Sequence, residues 1–280
     1  MRGPLLLARQ RAPLLLLAVG LMIPTLAASL LGLIVDDRVI TGAPAWLKPA
    51  KFSASVAIYA ATTAWILTVL PAERGLRRAG HLMGVLLILE VGLIVVQVVR
   101  GTTSHFNVAT PLDAGLFRIM GAMIATVMLA TMYILWRAAR VDLPDVGLAA
   151  AIRWGLAITI LGGWLGAVMT VPNRAQREAM AAGREVSFQG GHAVGAAEDG
   201  PGIPLIRWSA TGGDLRVAHF VGLHAMQLLP LALLLRRRRG GPGPADLRFI
   251  RGLAVGWIAL VVVTFLQALA GRPLLPFAGS

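Results

Sequence analysis

Thirteen carboxylates and five histidines are spread through 280 residues that are 57% hydrophobic, so an ionisable side chain inside an apolar run is a candidate for chemistry. Charged groups are costly in hydrocarbon and persist there when they are paired or used. Glu90 is the plainest case, near the middle of the apolar run 81–99, with Gln97 seven residues on and so on the same helical face. A carboxyl at such depth is neutral or paired. Arg118, in the next apolar run, is its expected partner.

Lys48 and Lys51 are the only lysines. Pro49 suits a first helical position, which puts Lys48 near the cap and Lys51 in the first turn. Two ammonium groups beside free helix amides make an anion site. The alternative is a pair of lysines snorkelling to headgroups beside Trp46. Ser55, Tyr59 and Thr62 share an arc of about 80° with Lys51, a polar stripe leading inward.

After the run 81–99 come Arg100, His105 and Asn107. Thr110, Pro111 and Asp113 then read as a helix cap, its first position and its third. Farther on, Asp214 caps an apolar helix in which Arg216, His219, His224 and Gln227 fall on one arc of about 140°. Ala218, Gly222 and Ala225 form an opposing small-residue face suited to close packing.

The expected ligand-binding set is therefore Lys48, Lys51, Tyr59, Gln97, Arg100, His105, Asn107, Arg118, Arg216, His219, His224 and Gln227. Glu90, His105 and His224 are the acid–base candidates. No cofactor is predicted. A divalent metal on His105, His219 and His224 is a weak alternative, because His219 and His224 diverge by about 140° on a regular helix. Haem b is another, but it needs two histidines at matched depth on facing helices. The absence of cysteine excludes disulfides, thiolate zinc, iron–sulfur clusters and covalent c-type haem. The last spans have no lysine for a retinal Schiff base.

Seven apolar runs must position these residues, near 12–34, 53–70, 81–99, 113–136, 148–170, 215–235 and 250–270. Each approaches the roughly 20 residues needed to cross a bilayer. The expected fold is all-α: a polytopic integral membrane protein, one transmembrane domain over 1–280, built as a seven-transmembrane-helix bundle. Small residues before Ala28 admit signal cleavage, but that apolar run continues to Val35, longer than an ordinary signal core, and is read as a span.

Basic residues accumulate in cytoplasmic loops. One side collects fifteen cations against four acids, from Arg2, Arg9 and Arg11 through Arg236–Arg239 to Arg251; the other has ten against eight. The N-terminus is thus expected inside and the C-terminus outside. The longest connection, 172–214, becomes an extracytoplasmic lid between the fifth and sixth spans, helical over 173–182 and irregular over 189–204. The sequence pI near 11.7 does not imply nucleic acid, since the cations flank spans where insertion and anionic lipid account for them.

The expected function is that of a bacterial-type inner-membrane protein whose outward-facing polar pocket binds a small anionic or lipid-derived ligand. Its partners are the bilayer and that ligand; protein partners are not specified by the sequence. An intramembrane enzyme with a histidine metal or acid–base site, a transporter and a structural subunit are the alternatives.

Overall fold

A computed structural model describes residues 3–275; Arg2, counted above among the inner cations, lies outside them. The chain is all-α apart from two short antiparallel pairs. Its helices are α1 (Pro4–Arg11), α2 (Pro13–Val35), α3 (Leu47–Val69), α4 (Arg74–Val99), α5 (Pro111–Ala139), α6 (Val146–Val168), α7 (Arg174–Ala181), α8 (Leu215–Leu223), α9 (Ala225–Gly240) and α10 (Ala245–Leu269). Strands β1 (Val39–Ile40) and β2 (Ala43–Pro44) pair with each other, as do β3 (Ala193–Val194) and β4 (Gly213–Asp214).

Among the described residues six helices, α2 to α6 and α10, are long and apolar enough to cross a bilayer, and α8 with α9 forms a pair bent by 47° that passes the same test together. The largest differences from the sequence reading are at two helix starts, with α9 and α10 also longer than expected at the loop that joins them. α3 starts at Leu47, so both lysines and Pro49 lie inside its first turns, where Pro49 replaces an N–H that has no intrahelical acceptor. α4 starts at Arg74, taking Arg77 and Arg78 onto the helix.

In a bilayer, apolar surface gains little by leaving lipid, so helices associate through close packing and polar ties. Accordingly Ile34 (79% exposed) and Val263 (59%) face outward, while Ile66, Met83, Ile134, Ile152 and Leu156 are enclosed in a core shared by α2 to α6. A second cluster, Ile158, Ala225, Leu229, Ala254 and Val261, joins α6 to α9 and α10. One close crossing is α6 on α8. A Cβ on Gly162 would sit 2.6 Å from Gly222 backbone atoms, and one on Gly222 would sit 2.5 Å from Gly162 Cα. This is the close packing expected of the Gly222 face.

The bend between α8 and α9 has a local cause. Thr159 Oγ1 of α6 donates to Leu223 O and accepts from Met226 N, each at 3.2 Å, so a side chain replaces part of the helical ladder. His224 occupies the junction. The single arc drawn for Arg216 to Gln227 fails here, because a helical projection holds only while the helix is regular.

Polar ties sort the connections into two ends. At one, Arg11 donates to Leu67 O (3.1 Å), Thr68 O (3.0 Å) and Leu70 O, covering the open carbonyls at the end of α3. There too Arg137 holds Glu73, Arg153 donates to Ala138 O and Val141 O, and Arg237 spans Asp145 and Asp246. The hydrogen bond from Arg237 keeps the Asp145 carboxyl below the usual carboxylate range. At the other end, segment 36–46, segment 100–110 and the long connection knit together. Val108 N donates to Ser187 O (2.9 Å), Gln189 N to Phe106 O (2.8 Å) and Lys51 Nζ to Ile206 O (3.2 Å). These are called the arginine end and the loop end below.

Candidate functional site

At the loop end, α3, α4 and the segment after α4 bring Lys48, Glu90 and His105 together. α4 carries Glu90 on its buried face with Leu87, Val91, Ile94 and Gln97, about 14 Å from Val99 at 1.5 Å per residue. Glu90 is 1% exposed, and neither carboxyl oxygen has a hydrogen-bond partner among the described residues. Its nearest ionisable neighbour is His105, whose Nε2 lies 3.8 Å from Oε1.

His105 stands in the segment between α4 and α5, with Nδ1 3.0 Å from Ser104 Oγ and its ring against Phe52 and Phe106. Burial holds its pKa well below the ordinary histidine value, and the charge of Lys48 and the proximity of His219 push the same way. The ring is therefore neutral at physiological pH.

Lys48 does not snorkel away from the bundle. Its ammonium lies 5.9 Å from the centre of the Phe52 ring, one turn farther into α3, and is close enough to Glu90 for their charges to interact. No ion pair closes between them among the described residues. His219, also near His105, is oriented by α6, with Nδ1 2.7 Å from Gly162 O.

Other expected site residues are committed elsewhere. Arg100 Nη1 reaches Asp113 Oδ1 at 2.7 Å and also bonds Gln97, whose Nε2 donates to the same Asp113 oxygen at 3.0 Å. Thr110 completes this clamp from the cap of α5, as its sequence position implied. Asn107 shapes its own loop through Thr102, Thr103 O and Ala109 N.

Tyr59 turns its hydroxyl to Thr131 at 2.6 Å, Thr62 bonds its own helix at Ile58 O, and Ser55 is exposed. The polar stripe below Lys51 is thus not continuous. Gln227, with its amide oriented to satisfy the site, donates to Leu223 O and His224 O and fills the broken ladder. His224 stacks edge-on against Phe220 at 4.3 Å.

The expected Glu90–Arg118 pair does not form. On α5 the enclosed stripe runs through Asp113, Phe117, Met120 and Met123, and Arg118, about 100° from Phe117, is exposed. Among the described residues no three His, Asp or Glu side chains are placed to hold one metal ion.

A second polar cluster closes the long connection above Lys51, and sequence spacing had not revealed it. Asp214 accepts Ser209 N at 2.7 Å and Arg216 N at 3.0 Å, and binds the Arg216 guanidinium through Nε and Nη2. Arg216 also donates to Arg207 O. Glu198 accepts His192 N and Ala193 N, and His192 sits between the two acids, 3.2 Å from Glu198 and 3.9 Å from Asp214. Burial pushes His192 down to about 3, with Arg216 adding repulsion. Burial raises Glu198. For Asp214 burial is the largest single influence and acts upward, but the hydrogen bonds and charge of Arg216, with His192 and Ser209 N, together outweigh it and the carboxyl lies below its usual range.

Two shallow clefts, one lined by Arg236, Arg239, Gly240 and Gly241 and the other between 144–147, Arg237 and 242–243, lie at the arginine end, away from Glu90. The Lys48–Glu90–His105 cluster is largely covered, with Glu90 enclosed and the His105 side chain 24% exposed. No protein-family profile, curated protein or solved structure matches the chain.

Proposed function

We propose that the chain is a single-domain, seven-span protein of a bacterial-type inner membrane, arginine end inside, in which Lys48, Glu90 and His105 bind a small anionic or lipid-derived ligand beneath the 172–214 lid. The excess of basic residues at the arginine end supports the orientation, N-terminus in and C-terminus out. One observation carries the site: a carboxyl 1% exposed, without a hydrogen-bond partner, beside a lysine turned inward. Buried polar groups are ordinarily satisfied, and a group left open between two other polar side chains is ready to meet a ligand. Lys48 and Lys51 supply the positive potential, since Arg100 and Arg216 are neutralised by Asp113 and Asp214.

The Ser104–His105–Glu90 sequence of contacts favours a second reading, an acid–base site in which neutral His105 passes a proton between Glu90 and the loop surface.

The test compares wild-type protein with Lys48→Met, Glu90→Gln and Arg118→Gln, each purified in detergent and examined by native mass spectrometry. The expected result is a retained adduct of constant mass, reduced about tenfold by Lys48→Met, a loss of roughly 1.4 kcal/mol in binding, and unchanged in Arg118→Gln. Equal retention in wild type and Lys48→Met sinks the binding site. Orientation is read on the same cysteine-free background: an impermeant maleimide applied from outside should label Ala197→Cys and leave Gly243→Cys unlabelled, and the reverse pattern overturns it.

A further inference from the structure

The charges at the loop end separate into those that are matched and those that are not. Arg100 is matched by Asp113, and Arg216 by Asp214. Lys48 and Glu90 remain, a base and an acid close enough to interact, yet they form no ion pair despite the flexible lysine stem. Buried and unpaired, each carries its charge only when a ligand group meets it. A purely anionic ligand would answer Lys48 and leave Glu90 unpaired. A purely cationic one would answer Glu90 and leave Lys48 unpaired. A zwitterion answers both.

Donor and acceptor inventories agree. Both Glu90 oxygens lack a partner among the described residues and accept only once the carboxyl is ionised, as it would be against an ammonium, whereas the Lys48 ammonium is donor-only and suits an anionic oxygen. Phe52, already facing the Lys48 ammonium and packed on His105, offers a ring face to a second cation. We infer that the ligand of this site carries a primary ammonium and an anionic group joined by a short spacer, as in an aminoethyl phosphate, with the anion on Lys48 and the ammonium on Glu90. This rests on the binding site proposed above.

The chemistry occurs in a phosphatidylethanolamine headgroup and in free O-phosphoethanolamine. Delipidated full-length protein in detergent is titrated with phosphatidylethanolamine, phosphatidylcholine, phosphatidylglycerol and soluble O-phosphoethanolamine. Phosphatidylcholine keeps the phosphate but its methylated ammonium has no N–H, and phosphatidylglycerol brings hydroxyls without the cation. Phosphatidylethanolamine is expected to bind about tenfold more tightly than either, a difference near 1.4 kcal/mol. Glu90→Gln should abolish that preference, and Lys48→Met should weaken all three lipids. Binding of the diacyl lipid alone identifies a membrane source, and binding of O-phosphoethanolamine as well shows that the headgroup suffices.

Equal affinity for phosphatidylethanolamine and phosphatidylcholine, or a preference that survives Glu90→Gln, overturns the zwitterion; if Lys48→Met still weakens binding, the anion site itself stands. Binding that neither variant changes removes both. Circular dichroism of each variant confirms that the helices are intact before the affinities are compared.

Discussion

Asp214→Ala is expected to cost about 3 kcal/mol, because breaking a buried charge pair leaves its partner uncompensated. Asp214 is 2% exposed and serves Ser209 N, Arg216 N and the Arg216 guanidinium together. Its loss frees both the start of α8 and the end of the lid, so the variant should melt earlier in detergent and be cut faster by trypsin at Arg207. Asp214→Ala combined with Arg216→Met should recover part of the loss, since the orphaned cation goes too. An unchanged melting temperature and cleavage rate in the single variant would refute the clamp.

The same cluster sets a pH dependence. His192 has a folded pKa near 3, below its ordinary 6.5, so its contribution is full above about pH 6.5 and is lost as pH falls and the unfolded chain takes up the proton. Asp214, also depressed, contributes above the ordinary carboxylate range and loses its share at still lower pH. Glu198 is raised and works in the opposite sense, its contribution present below its unfolded value and fading as pH rises through the folded one. Acidification from pH 7 toward 5 should therefore loosen the lid, and His192→Gln should flatten that slope. A slope unaffected by His192→Gln would assign the pH dependence to other groups.

Gly162→Leu is the second large effect expected, a destabilisation of about 3 kcal/mol, toward the upper end for overpacking. A Cβ at Gly162 meets Gly222 backbone at 2.6 Å, and backbone cannot rotate away as a side-chain tip can. Moving α8 off α6 would also break the His219 bond to Gly162 O and disturb the Thr159 bridge to Leu223 and Met226. Gly121→Leu is the control, because nothing lies within 4 Å of a Cβ there, and it should change stability by no more than about 0.5 kcal/mol. Equal melting of the two variants would contradict the close crossing.

Within the site, legibility followed locality. The Thr110–Asp113 cap and the Asp214 cap were readable because their donors and acceptors lie within three residues of one another. So was the short helix at Arg174–Ala181, where Asn173 and Gln176 form a capping box. Lys48, Glu90 and His105 were legible as unusual residues but not as neighbours. Arg118 was misassigned because reach along a helix was used without its rotation about the axis. Arg100 and Arg216 looked like free cations until distant carboxylates, or one two residues back with a folded loop behind it, were found against them.

The sequence by itself determined the class of molecule, the seven apolar runs, six of which form single long helices among the described residues while 215–235 falls on the pair α8–α9, and the separation of an arginine-rich end from a loop-rich end. Those properties follow from hydrophobic length and from where charge interrupts it, both written along the chain. Only the tertiary structure decided which charges are matched, that Lys48 turns inward, and that α8 breaks from α9 at His224. Pairing depends on how each helix is rotated about its axis and where a long connection returns. Those are set by contacts such as Gly162 on Gly222 and Thr159 at the break, 60 and more residues apart in sequence, and no local pattern records them.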